Sequence, residues 1–293
     1  MSDRQPAQRN LRFKFKVAFR LIVLCGLLLG AWTFWLEPSR LVVNETTLPL
    51  STWPSDRGAL RIAAISDLHV GAPYITLDKI GLVVEKINAA HPDVVVLLGD
   101  YVIQDVVGGH FVEPEAFAEK LKGLRAPEGV IAVLGNHDWY YNGMRVKAVM
   151  EKVGIRVLEN EAIAVQHQGR QIWFAGLAEY WTREPDVEQA LSQVPNGEPV
   201  IMLTHNPDIF PRIPSRVSLT MAGHTHGGQV NFPFFGRPIV PSEYGERYAI
   251  GHIEENGRHL FVTTGIGTSG LPVRFRVPPE ISIVTLTASS PLD

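Results

Sequence analysis

Cysteine is nearly absent: the one such residue, Cys25, lies inside an N-terminal apolar run. No intrachain disulfide can form, and no thiolate is available to a metal in the rest of the chain, which leaves any metal chemistry to His, Asp and Asn. A large net charge is lacking as well. The formal value is -3 and unevenly spread: residues 1–40 hold seven of the 27 basic residues and two of the 30 acidic ones, leaving 20 against 28 downstream. A mildly acidic body offers no broad cationic face to a duplex, so nucleic acid is not an expected partner. No internal repeat or low-complexity tract is present, and 45% apolar with 19% charged residues excludes a disordered chain.

What is present first is a membrane signal. Leu21 to Leu36 is unbroken apolar or small, and Val17 to Phe19 extends it across Arg20 to about 20 residues, the span of a bilayer core. Arg20 can snorkel to the interface. Basic residues precede the run, and Trp32, Phe34 and Trp35 stand at its far end, as an interfacial belt requires. No small-x-small cleavage site follows, so a signal anchor is expected rather than a cleaved leader; a buried core helix is the other alternative. The positive-inside rule then puts residues 1–16 in the cytoplasm as a basic N-terminus and 17–36 across the cell inner membrane as a single pass. Residues 37–58 follow as a linker or edge strand, and a catalytic domain over 59–293 faces the non-cytoplasmic side.

From Gly58 onward a pattern recurs: a short Val-, Ile- and Leu-rich run, then at once a cluster of Gly, Asp, His or Asn. Leu60–Ser66 leads to Asp67 and His69, Asp93–Gly99 to Asp100, and Gly129–Gly135 to Asn136, His137 and Asp138. Later, Pro199–Thr204 leads to His205, and Val217–Gly223 to His224 and His226. Such runs read as strands buried on both faces. Apolar residues at spacings of three and four over Leu77–Ala90 and Pro114–Leu124 predict helices, while Glu161–Tyr180 and Glu246–Thr264 read as hairpins. The predicted class is α/β: two mixed sheets packed as a sandwich, flanked by helices, in one domain.

Each polar cluster falls at the carboxyl end of a predicted strand, where open α/β sheets place their ligand sites. Singly, every residue has a plainer explanation: Asp67 as a helix cap, Asp100 and Asn136 as turn formers, His205 as a core histidine. Coincidence at five strand ends is what favours a shared site.

Asp67-Leu68-His69, Gly99-Asp100, Gly135-Asn136-His137-Asp138, His205 and Gly223-His224-Thr225-His226 resemble, in order and approximate spacing, the signature of the calcineurin-like metallophosphoesterase superfamily, from about Arg61 to the C-terminus. Gly227-Gly228-Gln229, Thr264-Gly265-Ile266-Gly267 and Pro278-Pro279-Glu280-Ile281 resemble a bacterial, membrane-linked branch, some members of which are similar to UDP-2,3-diacylglucosamine hydrolases of lipid A synthesis. The resemblance implies an α/β/β/α fold and two divalent metal ions, one on Asp67, His69 and His226, the other on Asn136, His205 and His224, with Asp100 bridging. Ligands of this kind suit manganese, iron, zinc or cobalt without deciding among them, and manganese is the first expectation. His137 is implied as the catalytic residue, stabilising the transition state or protonating the leaving oxygen. Related Ser/Thr phosphatases carry an orienting Asp three residues after the bridging one; Ile103 stands there in this chain, with Asp105 or Asp138 as substitutes.

Around the site, Trp139, Tyr140 and Tyr141 are expected to wall a substrate pocket, or else to pack under a loop. Arg274 and Arg276 are expected either to reach phosphate or to be plain surface charge, and Glu179-Tyr180-Trp181 to form a substrate loop. The expected function is hydrolysis of a phosphodiester or pyrophosphate at the membrane. The substrate expected is lipid-linked or a nucleotide sugar, although a UDP-diacyl sugar requires a cytoplasmic site and conflicts with the derived topology. The alternative is a non-catalytic metal-binding envelope module of the same fold.

Overall fold

The computed structural model describes residues 5–289, with side chains from residue 13 onward. Of the expected basic N-terminus, residues 1–4 and the side chains of residues 5–12 therefore lie outside the described part. Helix α1 (Gln5–Ala31) runs through a π-helical turn (Trp32–Leu36) into the short α2 (Glu37–Ser39). Phe13–Ser39 is long and apolar enough to cross a membrane, and its large apolar side chains are exposed where those of a core helix would be buried.

The body contains β1 (Val42–Leu50), β2 (Leu60–Ile65), α3 (Leu77–Ala89), β3 (Val94–Leu97), α4 (Pro114–Leu121), β4 (Val130–Ala132), α5 (Asn136–Tyr141) and α6 (Gly143–Lys152). It continues with β5 (Arg156–Val157), β6 (Glu161–His167), β7 (Arg170–Gly176), α7 (Val187–Leu191), β8 (Val200–Leu203), β9 (Leu219–Ala222), β10 (Gly251–Glu255), β11 (Arg258–Val262) and β12 (Glu280–Ala288). These strands build two six-stranded mixed sheets, ordered β1-β12-β2-β3-β4-β5 and β10-β11-β9-β8-β7-β6. The expected two-sheet architecture is the observed one.

Period-two alternation sorts the apolar runs. Ile62, Ala64, Val94 and Val96 point between the sheets, meeting Phe174, Ile201, Leu203 and Met221. Ala63, Ile65, Val95 and Leu97 point the other way, onto the helical layer. Helix α3 offers that layer Ile80, Val83, Val84 and Ile87, and Thr76 caps its first turn by accepting the Lys79 N–H. Val200, Met202, Val262 and Ala190 of α7 form the outer core on the second sheet. The result is four layers, helix, sheet, sheet, helix.

Two element boundaries differ from the expected ones or refine them. The segment 37–58 supplies β1, an edge strand, so the sheet begins before residue 59; β1 pairs in parallel with β12, from Val42 opposite Glu280 to Leu50 opposite Ala288. Helix α4 stops at Leu121, short of the expected Leu124, with Gly123 in the turn that follows.

Candidate functional site

Strands β2, β3 and β4 run parallel in one sheet, and β8 and β9 run parallel in the other. Their carboxyl ends open onto one cleft, and the structure brings all seven candidate ligands to it. Asp67, His69 and His226 place ligand atoms within 4.8 Å of one another, as do Asp100, His205 and His224. Asp100 Oδ2 lies 3.3 Å from His205 Nε2 and 3.7 Å from His69 Nε2, between the two groups. Asn136 is buried, and its Oδ1 has no hydrogen-bond partner among the described residues.

The backbone is bent to achieve this. Asp67, His69, Asp100, His224 and His226 all have positive φ, between 41° and 69°. Residues with a Cβ avoid that region, and clusters of such strain mark functional sites. Close packing of loops adds to the demand. An ideal Cβ on Gly135 would stand 2.1 Å from Asp100 Oδ1, and one on Gly223 would stand 1.9 Å from Ser66 Oγ.

Main-chain carbonyls orient the rings. His205 Nδ1 donates to Leu98 O at 2.7 Å, and His69 Nδ1 faces Val102 O at 3.3 Å, so each ring directs its Nε2 into the cleft, where it offers a lone pair once it carries no proton. There His69 Nε2 meets His226 Nε2 at 3.3 Å, and His205 Nε2 meets His224 Nδ1 at 3.1 Å. Two lone pairs so close repel unless a proton or cation lies between them. Beside them Asp67 Oδ1 is buried with no hydrogen-bond partner among the described residues. Orphaned acceptors, facing ring nitrogens and the absence of sulfur fit divalent cations bound by N and O donors.

Electrostatics point the same way. Burial pushes Asp67 up to about 6 and His69 down to about 4, and drives His224 and His226 well below the usual imidazole range. Burial also opposes a charge on His205, but Asp100, then Asp67 and Glu179, lift it to about 10. Burial works to raise Asp100, yet His205 holds it well below the carboxylate range. Where His69, His224 and His226 lose affinity for a proton, His205 gains it.

His137 stands at the rim, half-buried, with Nε2 3.9 Å from Asp100 Oδ2 and its ring edge-on to His69 at 4.8 Å. The expected substitutes for its orienting carboxylate do not serve. Asp105 is exposed, and both oxygens of Asp138 are taken by main-chain N–H groups of Asp100, Tyr101, Val102 and Gly135. His137 Nδ1 is buried with no partner among the described residues.

The outer candidates divide. Tyr140 is exposed beside His137, with ring centroids 5.9 Å apart. Trp139 packs instead under the Arg183 guanidinium, 4.4 Å from its ring, and against Gly143. Trp181 stands edge-on to His224 at 4.3 Å, on a turn that Glu179 organises by accepting from Trp181 N, Thr182 N and Thr182 Oγ1.

Arg274 requires correction. It neither reaches phosphate nor lies at the surface: its guanidinium is fully buried and donates to the carbonyls of Thr264, Gly265, Gly267 and Val277. Burial lowers it to about 10, still charged at neutral pH. It braces the Thr264–Gly267 segment, whose Gly267 N–H bonds Asp67 O at 2.6 Å. Two site features had no signal in the sequence, the orienting carbonyls of Leu98 and Val102, because any residue supplies one.

Comparison with known proteins agrees with this geometry. Residues 60–228 match the family model described as calcineurin-like phosphoesterase. The chain is similar to a Bacillus subtilis protein described as the uncharacterized metallophosphoesterase YkuE, with 33% identity over 87% of this chain and 89% of that one. It is also similar to the Escherichia coli phosphodiesterase YaeI, 29% identical over 81% of this chain and 86% of that one. A zebrafish transmembrane protein with metallophosphoesterase domain is 28% identical over 85% of this chain and 58% of its own length.

Proposed function

Since the chain belongs to the calcineurin-like phosphoesterase family, we propose that it is a two-metal hydrolase of phosphodiesters or pyrophosphates, working on an amphipathic, lipid-linked substrate at the outer face of the cell inner membrane. The observation that carries the chemistry is the pair of close nitrogen contacts, His69 to His226 and His205 to His224, on either side of Asp100.

In this reading Asp67, His69 and His226 would hold one ion and Asn136, His205 and His224 the other, with Asp100 placed to serve both. Divalent ions held there would polarise a phosphoryl oxygen and acidify water, with manganese the first choice. The chain's own residues do the rest. The carbonyls of Leu98 and Val102 fix the ligand tautomers. His137, at the rim, carries the proton that the leaving oxygen takes. Tyr140 and Trp181 flank the cleft and give an apolar or sugar-like leaving group two aromatic surfaces.

Membrane action is supported by the apolar helix Phe13–Ser39. An anchor raises the effective concentration of any amphipathic phosphoester held in the same bilayer. The filled ligand set weighs against a non-catalytic binding module.

The test is hydrolysis of bis-p-nitrophenyl phosphate by the full chain in detergent with manganese. Asp100→Ala should abolish turnover, and His137→Ala should lower kcat more than it raises KM. Undiminished activity in Asp100→Ala would sink the proposal. A phosphatase reporter fused to the C-terminus should be active only outside the cytoplasm.

A further inference from the structure

A turn tip that faces water ordinarily carries Asn, Gly or Asp, which bend easily and hydrogen-bond to solvent. The tip that follows the His226 loop reads instead Phe232-Pro233-Phe234-Phe235-Gly236. It is a built turn: Phe232 N–H donates to Gly236 O at 2.8 Å and Gly236 N–H to Phe232 O at 3.0 Å. Behind it Glu246 accepts the Arg237 N–H at 2.8 Å. The turn holds Phe234 and Phe235 outward, 103% and 87% exposed, with Ile239 at 76%. Single exposed apolar residues are ordinary; three large ones on one short turn mark a contact surface.

The neighbours of the tip identify what it contacts. Asn231 N–H bonds Phe275 O at 2.9 Å, Phe275 N–H bonds Gln229 O at 2.8 Å, and the rings of Phe232 and Phe275 lie 6.0 Å apart. The preceding residue, Arg274, donates its N–H to Thr33 O at 3.0 Å, inside the apolar helix. Three short contacts thus join the tip to the end of that helix, where Trp32, Phe34 and Trp35 are exposed. Leu271, Arg276 and Arg40 are exposed on the same connection. Aromatic and aliphatic side chains with cations among them, at the end of a membrane-length helix, is the composition of a headgroup layer contact.

We propose that the tip from Phe232 to Ile239 is a second membrane contact, seating Phe234, Phe235 and Ile239 in the interfacial layer of the bilayer that the N-terminal helix crosses. This rests on the reading of that helix as membrane-spanning. A single helix leaves the body free to tilt over the bilayer, and a second contact removes that freedom. The consequence reaches the cleft, because Arg237 Nε donates to Gly227 O at 2.8 Å, immediately after His226. With the tip seated, the height and tilt of the metal cleft over the lipid are set.

The full chain is placed in nanodiscs of phosphatidylethanolamine and phosphatidylglycerol, with one environment-sensitive fluorophore at a time. The positions are the native Cys25 and, in a Cys25→Ala background, Phe235→Cys, Ile239→Cys or Asn196→Cys, the last in the loop before β8, at the far end of that strand from His205. Labels at Cys25, Phe235→Cys and Ile239→Cys should be quenched by nitroxide-bearing lipids and shielded from aqueous iodide, and the Asn196→Cys label the reverse. A quenched Cys25 label with tip labels open to iodide overturns this inference alone. A Cys25 label open to iodide overturns the anchor itself. Tip labels shielded from iodide yet untouched by nitroxide lipids mean that a protein covers the tip, which also overturns the proposal.

Discussion

The carboxylate of Asp138 accepts the main-chain N–H of Asp100 at 2.9 Å, while Asp100 Oδ1 accepts the N–H of His137, the residue before Asp138, also at 2.9 Å. Each of the two loops is gripped by a side chain of the other. Asp138 takes two N–H groups on each oxygen, Tyr101 and Val102 on one, Asp100 and Gly135 on the other. Asp138→Asn turns an amide NH₂ toward two of those donors. The expected loss is about 1–3 kcal/mol of unfolding free energy and about 10- to 100-fold in metal affinity. Denaturant unfolding and metal titration read both; wild-type metal affinity in the variant would contradict the grip.

Metal uptake should release protons. His205 is lifted to about 10 in the metal-free chain by Asp100 against the opposing effect of burial, so at neutral pH it holds a proton that an ion must displace. Apparent affinity for manganese should therefore rise with pH, with a slope of about one per ion bound there. Asp67, raised to about 6 by burial, steepens the slope below that pH. Calorimetric titration of the metal-stripped chain in buffers of different ionisation heat measures the protons released; none released at pH 7.5 would contradict this account.

Gly135→Ala tests the closeness of the loops without testing backbone strain. Its φ is -100°, open to any residue, but the added Cβ would fall 2.1 Å from Asp100 Oδ1. Overpacking of this kind costs about 1–3 kcal/mol, and the displaced Asp100 should weaken metal binding. Gly81→Ala in α3 meets nothing within 4 Å and should raise stability by about 0.4–1 kcal/mol. Differential scanning of both variants separates the two effects.

Arg274→Met removes the donor from four buried carbonyls. The expected cost is about 3 kcal/mol or more, seen as a lowered Tm even without substrate. A phosphate-binding arginine would behave otherwise, with stability intact and KM raised.

The two sheets and the seven clustered residues were legible because both reduce to one local signal. A strand buried on both faces is a continuous apolar run, and Asp67, Asp100, Asn136, His205 and His224 stand directly after such runs. Arg274 was not legible, since a buried guanidinium among carbonyls and a surface one have the same neighbours in sequence. The helix α5, Asn136–Tyr141, is too short to show a helical period. The pairing of β1 with β12 joins residues more than two hundred positions apart, and the apolar pattern of an edge strand names no partner.

That last pairing constrains how the protein is made. Strand β12 follows β1 by more than two hundred residues yet lies between β1 and β2, bonded to both, so the first sheet has an open slot until β12 has been made. Contacts of such sequence separation form late. A chain delivered amino-terminus first must therefore wait, incompletely closed, with β1 and β2 emerged and their neighbour still on the ribosome, and the nine-residue β12 acts as the key that locks the sheet.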